Sequence, residues 1–223
     1  MSLPREVRAV VFDMDGLLCE TESVYRAARL AVAAERGHAM PASLLDALIG
    51  LTGQASIQCM LDHLGEDFPA VEFKARVAAT VVATGETGVP LKPGVVELLD
   101  DLDRLALPRA IATSSSPLAV EARLGHSGIM PRFDAVIARG DYERAKPHPD
   151  PFLRAAERLG VEPLHCLALE DSYSGVRAAA AAGMMTVMVP DLLGATDEML
   201  GLCCGVVRDL HEVRAWLGPA QRP

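Results

Sequence analysis

No apolar run in the chain approaches the roughly 20 residues that a membrane-spanning helix needs, so no membrane span is expected. Arg5, Glu6 and Arg8 interrupt the N-terminus before any apolar stretch, so no signal peptide is expected and the cytoplasm is the expected compartment. The five cysteines, Cys19, Cys59, Cys166, Cys203 and Cys204, are odd in number and lack zinc-type spacing. Free thiols are therefore expected, with Cys19 a small core residue. An excess of positive charge is also missing. The net charge of −9 argues against non-specific nucleic-acid binding. Lysine is scarce: only Lys74, Lys92 and Lys146 occur, against 18 arginines. There is no internal repeat, and the only low-complexity stretch is Ala178 to Ala182. What remains is an ordinary globular composition, half apolar, in 223 residues. That length suits one large domain or a core domain with a smaller companion.

The most informative segment is Val10-Val11-Phe12-Asp13-Met14-Asp15-Gly16. Val10 to Phe12 suit a buried strand. The strand stops where the carboxylates begin, and the carboxyl ends of strands in open α/β sheets are where ligands bind. Two adjacent carboxylates repel unless a cation or proton sits between them. A calcium loop starting at Asp13 would need glutamate at its twelfth position, which is Val24. Asp-Gly alone reads equally well as a plain turn.

Five segments read as strands: Ala9 to Phe12, Arg109 to Thr113, Ala135 to Ala138, Cys166 to Leu169 and Thr186 to Val189; Gly205 to Val207 is a weaker sixth. Helical patterns over Pro93 to Leu105, Pro117 to Leu124, Pro151 to Leu159 and Ser174 to Ala182 alternate with them. The alternation predicts an α/β fold: a parallel sheet between helical layers, in a three-layer, Rossmann-like core. From Thr21 to about Glu86 the pattern is helical throughout, with candidates Glu22 to Arg36, Pro41 to Leu48, Ser56 to Leu64 and Glu72 to Thr84. The Pro/Gly-rich return from Gly88 to Gly94 reads as a domain junction. The expected division is a core of residues 1–19 and 88–223 with an inserted helical cap of residues 20–87.

The other strand ends are polar. Thr113-Ser114-Ser115-Ser116 precedes a helix start, as an anion site or a serine cap would. Lys146, set among Pro147 and Pro149, reads as a positioned charge for phosphate or as a solvated loop lysine, and His148 as a turn residue. Glu170-Asp171 follows the apolar run from Cys166 to Leu169, and hard oxygen ligands there suit Mg²⁺.

Taken in order, Asp13-Met14-Asp15-Gly16, Ser114, Lys146-Pro147 and Glu170-Asp171 resemble the four motifs of haloacid dehalogenase-superfamily phosphohydrolases. The similarity is to the branch with a helical cap after the first motif, which includes β-phosphoglucomutase and sugar-phosphate phosphatases. It implies that Asp13 is the nucleophile and forms an aspartyl phosphate. Asp15 would be general acid and then base, with a pKa raised relative to Asp13, and its backbone carbonyl would bind metal. Ser114, with Gly16 and Ser115, would contact the transferring phosphoryl group, and Lys146 would neutralise charge. Asp171 would bind Mg²⁺ with Asp13, and Glu170 would be a further ligand or a group behind the ligands. Asp15 disfavours a dehalogenase, since those enzymes lack the second aspartate.

β-Phosphoglucomutases present cap cations where Ile49 and Gly53 align here, and a histidine where Tyr25 aligns. Their absence favours hydrolysis of a small phosphorylated metabolite over a bisphosphate-using mutase. Glu22, Tyr25, Thr52 and Gln54 are the cap candidates for contact with the leaving group. A catalytically silent binding protein on the same fold is the alternative from another class. No nucleic-acid or membrane partner is expected, and the assembly is expected to be a monomer or weak dimer.

Overall fold

The computed structural model describes residues 3–49, 51, 53–84 and 89–217. Thr52, Glu86 and Gly88 lie outside them. Six parallel strands form one sheet: β1 (Ala9–Phe12), β2 (Arg109–Ala112), β3 (Ala135–Ile137), β4 (Cys166–Glu170), β5 (Met185–Met188) and β6 (Gly205–Val206). Their spatial order is β3-β2-β1-β4-β5-β6, the doubly wound arrangement. The chain leaves β1 toward one edge and then returns to its other side, so the order reverses between β1 and β4. Ligands of such sheets bind in the crevice at that reversal. Phe12 pairs with Leu169, which sets Asp13 beside Glu170 at the crevice.

Side chains on a strand alternate between faces, and here the two faces are packed differently. Val10, Phe12, Ile111, Leu167, Leu169 and Val187 share one core with Leu98, Leu99 and Leu102 of α5 (Val95–Arg104) and Leu210 and Val213 of α10 (Leu210–Trp216). On the other face Ala9, Val11, Ala110, Ala112 and Ala168 meet α7 (Asp150–Leu159) and α8 (Tyr173–Ala181) through Phe152, Ala155, Ala178 and Ala179. The small side chains there let these helices lie close to the sheet. α6 (Pro117–Leu124) follows β2, and α9 (Asp197–Leu202) precedes β6.

Among the described residues between β1 and α5 stand four helices: α1 (Thr21–Glu35), α2 (Ala42–Ala47), α3 (Gly53–Leu64) and α4 (Ala70–Thr84). They enclose an apolar core of their own, built on Val32, Leu44, Leu48, Met60, Phe73 and Val77. The two segments that join this block to the sheet run side by side. Glu20 N donates to Pro90 O at 2.9 Å and Lys92 N to Leu18 O at 3.0 Å. Among the described residues, no helix is long and apolar enough to cross a membrane.

Several boundaries differ from the sequence expectation. β4 runs one residue further, so Glu170 is the last residue of the strand itself. α3 starts at Gly53, which places Gln54 in its first turn. α9 and α10 were not anticipated; at six and seven residues they carry too few turns for periodicity to show, and their start signals are the single caps Thr196 and Asp209.

Candidate active site

The ends of β1, β2 and β4 and the helical block line one cavity of about 250 Å³. From β1 come Asp13 and Asp15, from the β2 end Ser114 and Ser115, from the loop before α7 Lys146, and from the β4 end Asp171. From the helical block come Glu22, Tyr25, Arg29 and Lys74. Gln54 is exposed and lies outside the cavity lining.

Lys146 is the central cation. Its side chain is 4% exposed, and its ammonium donates to Asp13 Oδ1 and, at 2.5 Å, to Glu170 Oε1. Such a buried lysine is not a solvated loop residue, whereas His148 is exposed in a turn, as expected. Burial disfavours the ammonium, but the carboxylates of Asp13 and Glu170 outweigh it and hold its pKa above the ordinary lysine value. Glu170 is wholly buried, and its other oxygen accepts from Asp171 N, Ser172 N and Ser172 Oγ, each at 3.1 Å. Both Glu170 oxygens are thus occupied, which makes it a backing group for Lys146 and for the Asp171 turn. Glycine at 175 is required by this packing, because a Cβ there would lie 1.8 Å from Glu170 Oε1.

Asp13, Glu170 and Asp171 bring carboxylate oxygens within 4.8 Å of one another. Burial pushes the Asp13 carboxyl up to about 7, with Lys146 opposing and Glu170 adding to the rise. Asp171 is likewise raised, by burial first and then by Glu170 and Asp13. Its carboxylate accepts no hydrogen bond among the described residues. Gly16, at φ +83°, leaves the room for it: a Cβ there would meet Asp171 Oδ2 at 2.3 Å. Asp13 is the more enclosed of the two motif aspartates: its side chain is 9% exposed and that of Asp15 31%.

Asp15 is held from α6 and the end of β2. Arg123 of α6 donates to Asp15 Oδ1 at 2.5 Å, to Ser115 Oγ at 2.7 Å and to Tyr25 Oη at 2.7 Å. Ser115 Oγ in turn donates to Asp15 Oδ2 at 2.7 Å. One guanidinium therefore joins the second aspartate to helix α1 of the inserted block. The Asp15 carboxylate stands apart from the Asp13, Glu170 and Asp171 cluster. In the serine run, Ser116 caps α6 by accepting from Ala119 N at 3.3 Å, which leaves Ser114 and Ser115 to the cavity.

The helical block was expected to bring no cation to the site, from the residues at Tyr25, Ile49 and Gly53. The structure corrects this. Lys74 of α4 and Arg29 of α1 line the cavity, joined by Arg139 from the loop after β3. Lys74 Nζ donates to Gly53 O at 2.7 Å and Ser56 Oγ at 2.9 Å. Its pKa is lowered by burial, then by the nearby Arg139 and Arg29.

Arg123, Arg139, Arg29 and Lys74 were all missed from the sequence, although two signals existed. Arg123 falls three residues after the apolar Val120 and next to Leu124, on the buried face of its helix. Lys74 is one of only three lysines. Cys19, by contrast, is a core residue whose thiol pKa burial pushes far up, which suits no nucleophile.

A model of the haloacid dehalogenase-like hydrolases matches residues 7–183. Protein CbbY (plasmid) of Cupriavidus necator is 37% identical over 213 residues, covering 87% of this chain and 83% of its own. Hexitol phosphatase B of Escherichia coli K12 is 34% identical over 217 residues, covering 96% of this chain and 98% of its own. Among solved structures, CbbY of Rhodobacter sphaeroides in complex with phosphate superposes with a TM-score of 0.77 at 28% identity, covering 93% of this chain and 96% of its own. A matching family model over most of the chain, relatives of nearly equal length and a shared fold lead to one conclusion: the chain belongs to the haloacid dehalogenase-like hydrolases.

Proposed function

We propose that this protein is a Mg²⁺-dependent phosphatase for a small phosphorylated metabolite of the sugar-phosphate class, working through an aspartyl phosphate on Asp13. The observation that carries this is the pairing at the sheet reversal. A buried aspartate is held by a buried lysine, and a second carboxylate, which accepts no hydrogen bond among the described residues, lies within 4.8 Å of it. Relatives of nearly full length named for phosphatase activity, and a structural neighbour with phosphate bound, support the same reading.

The donor set fits Mg²⁺: buried, hard carboxylate oxygens whose mutual repulsion a divalent cation would relieve. Asp13 and Asp171 would hold it, with the Asp15 carbonyl, and Glu170 would stand behind them. When bound it would supply Lewis-acid polarisation of the phosphoryl oxygens. The chain's own groups do the rest. Lys146 offsets the repulsion between the Asp13 carboxylate and an anionic phosphoryl group. Ser114 and Ser115 offer donors at the same end of the cavity. Asp13 attacks phosphorus while Asp15 gives its proton to the departing alkoxide. Arg123 and Ser115 stabilise the Asp15 carboxylate left behind. Asp15 then takes a proton from the water that cleaves the aspartyl phosphate, and inorganic phosphate leaves. The block of residues 20–87 acts as a cap on the core of residues 1–19 and 88–223 and excludes bulk water.

The test is release of inorganic phosphate from a panel of hexose, pentose, nucleoside and glycolate phosphates, in Mg²⁺ and in chelator, with Asp13→Asn as the blank. Release that needs both Mg²⁺ and Asp13 is expected. Isomerised sugar phosphate without free phosphate would favour a mutase, and no turnover or binding of any kind would overturn the reading.

A further inference from the structure

The loop between β3 and α7 grips the serine turn after β2 at successive carbonyls. Tyr142 Oη donates to Thr113 O at 3.1 Å. The Arg139 guanidinium donates to Ser114 O through Nε at 3.0 Å and Nη2 at 2.8 Å. Arg139 N donates to Ser115 O at 2.8 Å. A Thr-Ser-Ser-Ser turn has competing local hydrogen-bond patterns of its own, so an outside grip decides which one it keeps. Ser114 lies between two peptide planes whose carbonyls are both held. Since the planes are rigid, its φ and ψ are then set, and with them the direction of its Cβ. The gripping loop is itself braced. Ala138 N donates to Asp141 Oδ2 at 2.9 Å, Asp141 N donates to Ala138 O at 3.1 Å, and Tyr142 packs on the alanine-rich face of the sheet. Further along, the same loop delivers Lys146 to Asp13 and Glu170. One loop thus fixes both the cation on Asp13 and the turn that carries Ser114.

We infer that Arg139 and Tyr142 are positioning residues for phosphoryl transfer, clamping the carbonyls of residues 113–115 so that the Ser114 hydroxyl meets the phosphoryl group in one orientation. This rests on the phosphatase reading and deepens it. Arg139 acts through the shape of its fork rather than through its charge: two of its donors converge on one carbonyl oxygen, which a lysine ammonium on a flexible stem does not reproduce. Releasing the clamp lets the hydroxyl drift, and a donor out of place contributes little where charge develops in the transition state. The clamp works at the phosphoryl end of the cavity, so its effect is independent of which alcohol leaves.

Arg139→Lys keeps the charge and loses the fork, and Arg139→Gln loses both. Each should lower kcat/KM about tenfold, the worth of one hydrogen bond from a charged donor, and by the same factor for hexose, pentose, nucleoside and glycolate phosphates. Tyr142→Phe should lower it about threefold. Arg139 is exposed, so its variants should keep the wild-type Tm. In a Ser114→Ala background the cost of Arg139→Lys should fall to about twofold, because the clamp then has no hydroxyl to aim. Normal activity in Arg139→Lys would show that charge alone suffices and would overturn the clamp. So would a loss that persists undiminished in Ser114→Ala, as a merely structural role would give, or a loss confined to one substrate. Calorimetric binding of inorganic phosphate in Mg²⁺ keeps the two proposals apart. An affinity about tenfold weaker in Arg139→Lys supports the clamp even where the wild type hydrolyses nothing. Turnover with unchanged kcat/KM and phosphate affinity in that variant refutes the clamp and leaves the phosphatase standing. A wild type that neither binds nor releases phosphate overturns both.

Discussion

Replacing Gly175 with alanine puts a methyl carbon where the carboxylate of Glu170 already lies. The Cβ would stand 1.8 Å from Oε1, 1.9 Å from Cδ and 2.2 Å from Oε2, whereas real Cβ contacts keep at least 3.0 Å, so the carboxylate must retreat by about 1.2 Å. It has no slack to do so. Oε1 is tied to Lys146 at 2.5 Å, and Oε2 to three donors of the Asp171–Ser172 turn at 3.1 Å. A shift of that size breaks most of these bonds and leaves a wholly buried carboxylate without its cation. Breaking a buried pair of this kind costs about 3–5 kcal/mol. For a chain of this length that corresponds to a fall in Tm of roughly 6–20 °C. Differential scanning calorimetry of Gly175→Ala measures it, with Gly194→Ala as control, since a Cβ at 194 meets nothing within 4 Å. Phosphatase activity should fall with stability, because Lys146 and Asp171 both lose their anchor. A Gly175→Ala protein within 2 °C of the wild type, as set by the size scaling of Tm, and with normal turnover would refute the reasoning about Glu170.

Lys146→Ala leaves Asp13 and Glu170 buried together without a cation; a stability loss of about 3–5 kcal/mol is expected, with kcat reduced at least about 10²–10³-fold. Urea titration and steady-state kinetics check the two halves. Tyr25→Phe removes one hydrogen bond to Arg123, so it should cost about 1 kcal/mol in the wild type and close to nothing in an Arg123→Ala background, as a double-mutant cycle would record. The Asp13 carboxyl, raised by burial from 3.8 to about 7, binds a proton in the folded chain that the unfolded chain has already lost between those values. Stability from this group is therefore greatest below about pH 4 and declines as pH rises toward 7. In chelator, the Tm of the wild type relative to Asp13→Asn should fall across that window, and Mg²⁺ should raise Tm more at pH 7.5 than at pH 5 by competing with that proton. A flat difference would contradict it.

The residues legible in sequence were those that end strands. Asp13 follows Phe12, Ser114 follows the β2 run and Asp171 follows β4, so a strand boundary and a polar residue type sufficed to place them. Lys146 was legible through its rarity and its prolines. Less accessible was whatever depends on where a helix face points. Gln54 sits in the first turn of α3 and faces solvent, while Lys74, in the next helix along, reaches the cavity. The cations were sought at Ile49 and Gly53 because of alignment alone, and the fold supplies them from α1, α4 and the loop after β3. Arg123 escaped notice because a buried arginine on a core helix makes sense only once Asp15 and Tyr25 are known to flank it. Gly175 is informative only through the carboxylate it accommodates, which no local pattern reveals.

The most direct measurement is chemical trapping of the enzyme during turnover. Acid quench, borohydride reduction and peptide mass spectrometry would convert a phosphorylated aspartate to homoserine. The expected result is homoserine at position 13, dependent on substrate and Mg²⁺ and absent from a substrate-free control. Steady phosphate release from an enzyme that never carries the modification at Asp13, or that turns over normally as Asp13→Asn, would contradict the proposed chemistry.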